Sequence, residues 1–141
     1  VYSAKDYTSI YKLKEIILME SCLFCHLEES VPILENKLAK AFFDKMPVSK
    51  GHLLIIPKRH AENYFDLTLP EKKAIDELLL ACKHFIDTQH QPDGYNIGAN
   101  CGETAGQTIF HCHIHLIPRY QGDLSNPRGG VRGVIPDKRI Y

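Results

Sequence analysis

Short apolar runs along the chain predict the strands of a sheet. Residues 37–43, 52–56 and 95–99 each have the length of one strand and are bounded by polar or turn-forming residues. Residues 111–118 alternate histidine with apolar side chains. Because successive side chains of a strand point to opposite faces, this run predicts a strand with three imidazoles on one face and an apolar opposite face.

Apolar residues spaced by three and four predict two helices. Residues 6–19 show this spacing and predict a short amphipathic helix. A second helix starts after Thr68, which can cap it, with Glu71 completing a capping box and Pro70 tolerated in the first turn. The face of this helix expected to be buried comprises Ile75, Leu78, Leu79, Cys82, Phe85 and Ile86.

The order of these elements predicts an α+β fold. We expect a mostly antiparallel sheet, one long helix and an N-terminal helix. Residues 45–51 and 92–94 contain Pro and Gly and predict turns. We expect residues 1–141 to form a single domain. Residues 121–141 show no periodicity and are expected to form an extended C-terminal tail.

Composition and charge argue against some classes of binding partner. The chain has 17 basic and 17 acidic residues, so no overall field favours nucleic acid or a membrane surface. Its longest apolar runs are too short to span a bilayer, and no apolar signal segment is evident. Five cysteines, an odd number, indicate a reduced protein rather than a disulfide scaffold. We therefore expect a cytoplasmic protein.

The three alternating histidines allow three interpretations. They can form a polar, solvated strand face. Two of them, His111 and His113, can bind zinc, which would indicate a zinc-dependent hydrolase. Alternatively, one neutral imidazole attacks phosphorus while a neighbour stabilises charge, since histidine titrates near neutral pH.

The preceding loop favours nucleophilic chemistry at a phosphate. Gly102 and Gly106 allow backbone N–H groups to approach an anion closely. Gln107 and Thr108 add neutral hydrogen-bond donors beside the histidines. A Gly-containing loop is weak evidence alone, but here it directly precedes the three histidines.

At these residues the sequence resembles the histidine triad (HIT) superfamily. The pattern His-x-His-x-His, followed by apolar residues, stands at positions 111–117, and a second block, Gly-His-apolar strand-Pro-Lys-x-His, stands at 51–60. The resemblance covers a core of about 22–120 and implies the HIT fold, with about five strands in a mostly antiparallel sheet. It also implies a nucleotide hydrolase or transferase that cleaves at the α-phosphorus of an adenine nucleotide and passes through a nucleotidyl-histidine intermediate.

The resemblance assigns catalytic roles to individual histidines. His113 would be the nucleophile. His115 would contact the phosphate and the leaving group, and His52 would lie nearby and help to bind the phosphate. His111 would orient the site or bind metal.

The resemblance also implies a nucleotide-binding set. Asp44 would accept hydrogen bonds from the ribose hydroxyls, and residues near Phe43 and Leu53 would hold the base. The phosphate path would be lined by Asn100, Gln107 and Thr108.

Two features favour the Fhit-like branch over the Hint-like branch of this superfamily. Gly106-Gln107-Thr108 precedes the triad, and Pro118-Arg119 follows it. The resemblance then implies a dinucleoside polyphosphate substrate. The alternatives are an adenosine 5'-phosphoramidate hydrolase of the Hint type and a non-catalytic nucleotide-binding module.

Cys22 and Cys25 form a Cys-x-x-Cys pair, which is half of a zinc site. Either they are two loop thiols, or, as in some bacterial members of the superfamily, they join His60 and His111 around a structural zinc. His26 is a rival ligand.

Two further expectations concern the tail and the assembly. The basic residues of the tail are either solvated or bind distal phosphates. The resemblance implies a homodimer.

Overall fold

A five-stranded sheet organises the computed structural model, which describes the backbone of residues 4–141 and the side chains of residues 10–141. The strands are all antiparallel and lie in the order β1-β2-β3-β5-β4. Their bounds are β1 Leu34–Glu35, β2 Ala39–Phe43, β3 Leu53–Pro57, β4 Gly94–Gly98 and β5 Ile114–Arg119. Two α-helices, α1 (Ala4–Ser21) and α2 (Leu69–His90), complete the predicted α+β fold.

The structure corrects the predicted elements at three places. The strand β1 is only two residues long and gave no periodic signal. The histidine run begins as a loop, because β5 starts at Ile114 and the backbone N–H of Cys112 donates to the carbonyl of Ala61. The tail is folded rather than extended, with 3₁₀ helices at Gly130–Val134 and Pro136–Lys138.

Helix α2 starts as its sequence predicts. Thr68 is the N-cap, and Thr68 and Glu71 form both hydrogen bonds of a capping box. The helix buries Ile75, Leu78 and Ile86 against the sheet, while the predicted Leu79 and Phe85 are partly buried at the edge of the same cluster.

The two faces of the sheet pack against different elements. Ala41, Leu53, Ile55, Ile114 and Leu116 alternate toward α2 and form the main core. On the opposite face, Phe42, Leu54 and Ile56 pack with Phe24 of the 3₁₀ helix Leu23–His26. The register places Leu54 directly beside His115 on this second face.

Helix α1 presents apolar residues to solvent. Its described side chains Ile10, Leu13, Ile16 and Ile17 are each 45–61% exposed. The helix is therefore confirmed, but the described part of the chain does not cover its apolar positions. No helix among the described residues has the length and apolar character needed to cross a membrane.

A buried carboxylate ties the start of α2 to the segment that follows β3. Glu71 is 4% exposed and accepts hydrogen bonds from Arg59 at 2.8–3.3 Å and from the backbone N–H of Thr68. Arg59 holds the pKa of Glu71 below its usual value, because its hydrogen bonds favour the ionised form. Arg59 also donates to the carbonyl of Asp66.

We expect Glu71→Ala to lower the free energy of unfolding by about 2 kcal/mol, since it removes a helix cap partner and an ion pair. The lowered pKa means that this contribution is present above the usual pKa of glutamate and is lost as the pH falls through the folded-state value. Urea denaturation at neutral and acidic pH measures both effects. Glu77→Ala is the control, because its ion pair with Lys73 is exposed; equal losses for the two variants would contradict the assignment.

Candidate active site

His113 is held in one tautomer by the backbone. Its Nδ1–H donates to the carbonyl of His111 at 2.8 Å, so its Nε2 carries a lone pair. The side chain is 8% exposed, and its ring packs edge-on against Phe24 with centroids 5.4 Å apart. The unprotonated nitrogen is therefore available as a nucleophile or a base.

His115 is held in the opposite tautomer by a relay through His52. The backbone N–H of Val48 donates to His52 Nδ1 at 3.0 Å, so the proton of His52 lies on Nε2. That Nε2–H donates to His115 Nδ1 at 2.9 Å. The remaining proton of His115 therefore lies on Nε2, where it can donate to a ligand.

Burial keeps this histidine pair neutral. Desolvation, with the neighbouring His113 and His52, lowers the pKa of His115 to about 4. Burial also lowers the pKa of His52, although Asp44, whose Oδ2 lies 3.6 Å from His52 Nε2, opposes this effect. At neutral pH both rings act as neutral hydrogen-bonding groups until an anion approaches them.

A cavity of about 350 Å³, here called the triad cavity, opens beside His113 and His115. Of the two residues around which the base was expected to bind, Phe43 borders this cavity and Leu53 does not. Leu53 faces α2, whereas Phe42 and Leu54 line the cavity. Phe43 also borders it, although its ring lies toward Phe85 of α2, with centroids 6.5 Å apart.

The polar residues predicted for the nucleotide divide into two groups. Asp44, Asn100 and Thr108 line the triad cavity. Asp44 also accepts from the backbone N–H of Met46, which fixes one carboxylate oxygen. Gln107 differs: it is 2% exposed and its amide is used inside the protein.

Gln107 organises the loop instead of facing a phosphate. Its Nε2 donates to the carbonyls of Glu62 and Ile109, and its Oε1 accepts from the backbone N–H of Gly102. Both amide hydrogens are therefore occupied, which corrects the prediction of a free donor. Gly106, with φ of +90°, makes the turn that brings the loop back to the histidines.

The four residues predicted to bind metal do meet in space. Donor atoms of Cys22, Cys25, His60 and His111 all lie within 4.8 Å of one another. The Sγ atoms of Cys22 and Cys25 are each 3.5 Å from His111 Nδ1. The rival His26 lies outside this cluster, with its Nε2 2.9 Å from the carbonyl of Met19.

The chemistry of this cluster fits a tetrahedral metal ion. Neighbouring donors around zinc lie roughly 3.5 Å apart, which matches the contacts of 3.3–3.5 Å. His111 Nε2–H donates to the carbonyl of Pro57, so its Nδ1 lone pair faces the thiols. Burial and the adjacent Cys22 raise the pKa of Cys25 to about 11, so a thiolate pair here requires a cation.

A second group of possible ligands, Asp44, His52 and His115, also lies within 4.8 Å. Its two imidazoles are already hydrogen-bonded to each other. His113 belongs to neither group among the described residues. The geometry therefore does not favour the alternative in which His111 and His113 hold a catalytic metal together.

A second cavity, here called the tail cavity, has a volume of about 560 Å³ and is a feature that the sequence patterns missed. His52 and His115 line it from the sheet, and Gly130, Val131, Gly133 and Val134 line it from the tail. The tail has no apolar periodicity to reveal this wall. Only the dipeptide Gly129-Gly130, where both φ angles are positive, indicated a turn there.

The chain is similar in sequence to two proteins whose names state an activity. It is 37% identical over 103 residues to an adenosine 5'-monophosphoramidase of Schizosaccharomyces pombe, covering 70% of this chain and 74% of that protein. It is 32% identical over 99 residues to an AP-4-A phosphorylase of Mycobacterium tuberculosis, covering 70% of this chain and 51% of that protein.

Two solved structures share the fold. A HIT family protein from Bacillus anthracis superposes with a TM-score of 0.69 at 37% identity, covering 74% of this chain and 77% of the other. A zinc-bound histidine triad family protein from Mycobacterium smegmatis superposes with a TM-score of 0.67 at 29% identity, covering 77% and 81%. The family model of the HIT domain matches residues 27–122. The chain therefore belongs to the HIT domain family.

Proposed function

We propose that this protein is a nucleotide hydrolase that cleaves at the α-phosphorus of a nucleoside 5'-phosphate derivative and releases a nucleoside monophosphate, such as AMP. The observation that carries this proposal is the pair of opposite tautomers at one cavity. His113 offers a lone pair there, and His115 offers an N–H. Membership of the HIT family and the two named relatives support the proposal.

In the first step, His113 Nε2 attacks the α-phosphorus and forms an N–P bond. The bond from phosphorus to the leaving group breaks, and its electron pair stays on the leaving atom. Burial lowers the pKa values of His52 and His115, and the negative charge of the bound phosphoryl group raises them again. This pair therefore takes up one proton from water on binding and passes it from His115 to the leaving atom.

In the second step, water attacks the same phosphorus on the nucleotidyl-histidine. The N–P bond breaks, its electron pair returns to His113 Nε2, and one proton of the water goes to the His52–His115 pair. The pair then releases that proton to solvent, which restores the starting state. The side chain of Thr108 lines the same cavity, and its hydroxyl would donate to a phosphoryl oxygen.

The triad cavity supplies a site for the nucleoside. Phe42 and Leu54 offer apolar surface for a base, and Asp44 offers a carboxylate for the ribose hydroxyls. Asn100 lines the same cavity. An adenine nucleotide is the ligand we propose, because both relatives are named for adenosine compounds.

The leaving group distinguishes two candidate substrate classes. The name of the yeast relative indicates adenosine phosphoramidates. The name of the mycobacterial relative indicates a dinucleoside polyphosphate, which agrees with the Fhit-like residues Thr108 and Arg119 beside the triad. A steady-state comparison of both classes decides between them.

We further propose that Cys22, Cys25, His60 and His111 hold a structural zinc. The closed four-ligand set is of the structural kind, without a position for water. It would join the segment at Cys22 and Cys25 to the loop that precedes the nucleophile. The zinc-bound relative from Mycobacterium smegmatis supports a zinc site in this fold.

We also propose a homodimer that forms along β4. This strand is one of the two edges of the sheet, with β5 as its neighbour in the described structure. Ile97 of β4 and Leu80 of α2 are 49% and 57% exposed near this edge. Together they offer an apolar surface that a second copy can cover.

We expect His113→Ala to lower kcat by at least about 10⁴-fold because it removes the nucleophile. The binding of AMP, measured by calorimetry, should persist because the residues that line the cavity remain. His84→Ala, on the exposed side of α2, serves as the control and should keep full activity. Binding without turnover in the wild-type protein, across both substrate classes, would instead indicate a nucleotide-binding module.

For zinc, we expect about one ion per chain by elemental analysis, and its loss in the Cys22→Ser, Cys25→Ser double variant. Cys101→Ser, at a cysteine outside the cluster, should keep the metal. Chelation should lower the melting temperature of the wild-type protein. A chain that contains no zinc and is insensitive to chelator would contradict the site, and chelation that stops turnover while the fold is intact would favour a catalytic metal.

For the dimer, light scattering should give twice the chain mass, and Leu80→Glu should shift the protein toward monomers. Leu69→Glu is the matched control, since Leu69 is 79% exposed at the far end of α2. A wild-type monomer at every concentration would overturn the proposed assembly.

A further inference from the structure

The turn between β2 and β3 determines the direction of the relay through His52. The turn comprises residues 44–52, and its side chains at 45–48 are exposed. Its contribution to the site is a backbone group, because the N–H of Val48 donates to His52 Nδ1 at 3.0 Å. A hydrogen bond from an exposed turn therefore fixes the tautomer of a histidine that is only 2% exposed.

Two neutral imidazoles in contact can be ordered in two directions. In the direction described above, His52 Nε2–H donates to His115 Nδ1, and the proton of His115 lies on Nε2. In the opposite direction, His115 Nδ1–H would donate to His52 Nε2, and the proton of His52 would lie on Nδ1. His115 Nε2 would then carry a lone pair and could not donate to a leaving atom. The Val48 N–H excludes this direction, because it would face a second N–H.

Asp44 is another group that influences the tautomer of His52. Its Oδ2 lies 3.6 Å from His52 Nε2, which is too long for a hydrogen bond. Its Oδ1 accepts instead from the backbone N–H of Met46. The negative charge favours a proton on His52 Nε2, but the Val48 N–H is the group that directly contacts Nδ1. The direction of the relay therefore depends on the position of one backbone N–H.

Two hydroxyl groups fasten this turn to the end of β5. Ser49 Oγ donates to the carbonyl of Pro118 at 2.5 Å. The hydroxyl of Tyr120, just after β5, donates to the carbonyl of Lys50 at 2.7 Å. Because Ser49 directly follows Val48, its hydrogen bond limits how far the Val48 N–H can move.

The neighbours of the turn restrict it further. Gly51 has a φ of +87°, and a Cβ there would lie 2.9 Å from Cδ2 of His90, so the turn packs closely on the end of α2. The strand β5 carries His115 and, through the carbonyl of Pro118, the acceptor for Ser49. One strand therefore positions both the turn that sets the relay and the histidine at the end of the relay.

We propose, on the basis of the proposed function, that Ser49 and Tyr120 are positioning residues for the reaction. They hold the Val48 N–H at His52 and so keep the proton of His115 on Nε2, where it serves the leaving atom. Neither Ser49 nor Tyr120 lines the triad cavity or the tail cavity, so neither is placed to contact the nucleotide. Their effect is therefore on kcat and on the histidine tautomers of the free protein, and not on substrate binding.

The Ser49→Ala, Tyr120→Phe double variant of the full chain tests this proposal. Proton–nitrogen correlation spectra of the ¹⁵N-labelled protein distinguish a protonated ring nitrogen from an unprotonated one, and the wild-type protein should show His52 and His115 protonated on Nε2. Because the loss of two hydrogen bonds shifts an equilibrium by about tenfold, the variant should show a second population protonated on Nδ1. Its kcat should fall by up to about tenfold at unchanged KM. The substrate is whichever of adenosine 5'-phosphoramidate and diadenosine tetraphosphate the wild-type protein cleaves faster.

Ser49→Thr keeps the hydroxyl and should retain the wild-type spectra and kcat. The control is Ser125→Ala, Tyr141→Phe, which removes the same groups from exposed positions of the tail. If the double variant does not fold, Ser49→Ala alone is measured in the same way, with a smaller expected shift. Wild-type tautomers in a folded variant, whether or not kcat falls, overturn the positioning role and leave the hydrolase proposal standing. The expected tautomer change, with no turnover by the wild-type protein, supports the control of the relay and overturns the hydrolase proposal.

Discussion

The hydrogen bond from His113 Nδ1–H to the carbonyl of His111 is the constraint on which the rest of the site depends. It leaves the lone pair on Nε2, the nitrogen that faces the cavity. The donor and acceptor are two residues apart, so the bond requires the chain to be a loop there rather than part of β5. The departure from regular strand geometry is what differentiates three otherwise similar histidines.

His111 connects His113 to the cysteine cluster. Its carbonyl accepts from His113, its Nε2–H donates to Pro57, and its Nδ1 faces the thiols of Cys22 and Cys25. The residue is fully buried. A metal ion bound by the cluster would hold the ring of His111 and, through its backbone, the acceptor that sets the tautomer of His113. His111 thus links the cysteine cluster directly to His113.

The sequence predicted those parts of the molecule that are governed by local pattern. The capping box at Thr68 and Glu71, the apolar face of α2 and the alternation of Cys112, Ile114 and Leu116 into the core follow from spacing alone. The spacing of Cys22 and Cys25 indicated half of a metal site. His60 and His111 lie far from them in the chain and were added only through a family resemblance, yet the fold brings all four together.

Other parts could not be predicted because they depend on tertiary contacts. No local sequence pattern shows that the amide of Gln107 donates to the carbonyls of Glu62 and Ile109. No such pattern shows that Leu54 rather than Leu53 faces the histidines. The latter depends on strand register, where a shift of one residue exchanges the faces. The tail wall at Val131 and Val134 arises from packing against β4 around glycines with positive φ, which no periodicity signals.

The central claim is that His113 becomes covalently attached to phosphorus during turnover. The most direct measurement is mass spectrometry of the protein after a rapid alkaline quench, because alkali preserves the N–P bond, followed by peptide mapping. The account predicts an added nucleotidyl group on the peptide that contains His113, at a level that rises before product accumulates. Turnover with no such adduct under any quench, or an adduct on a different residue, would contradict it.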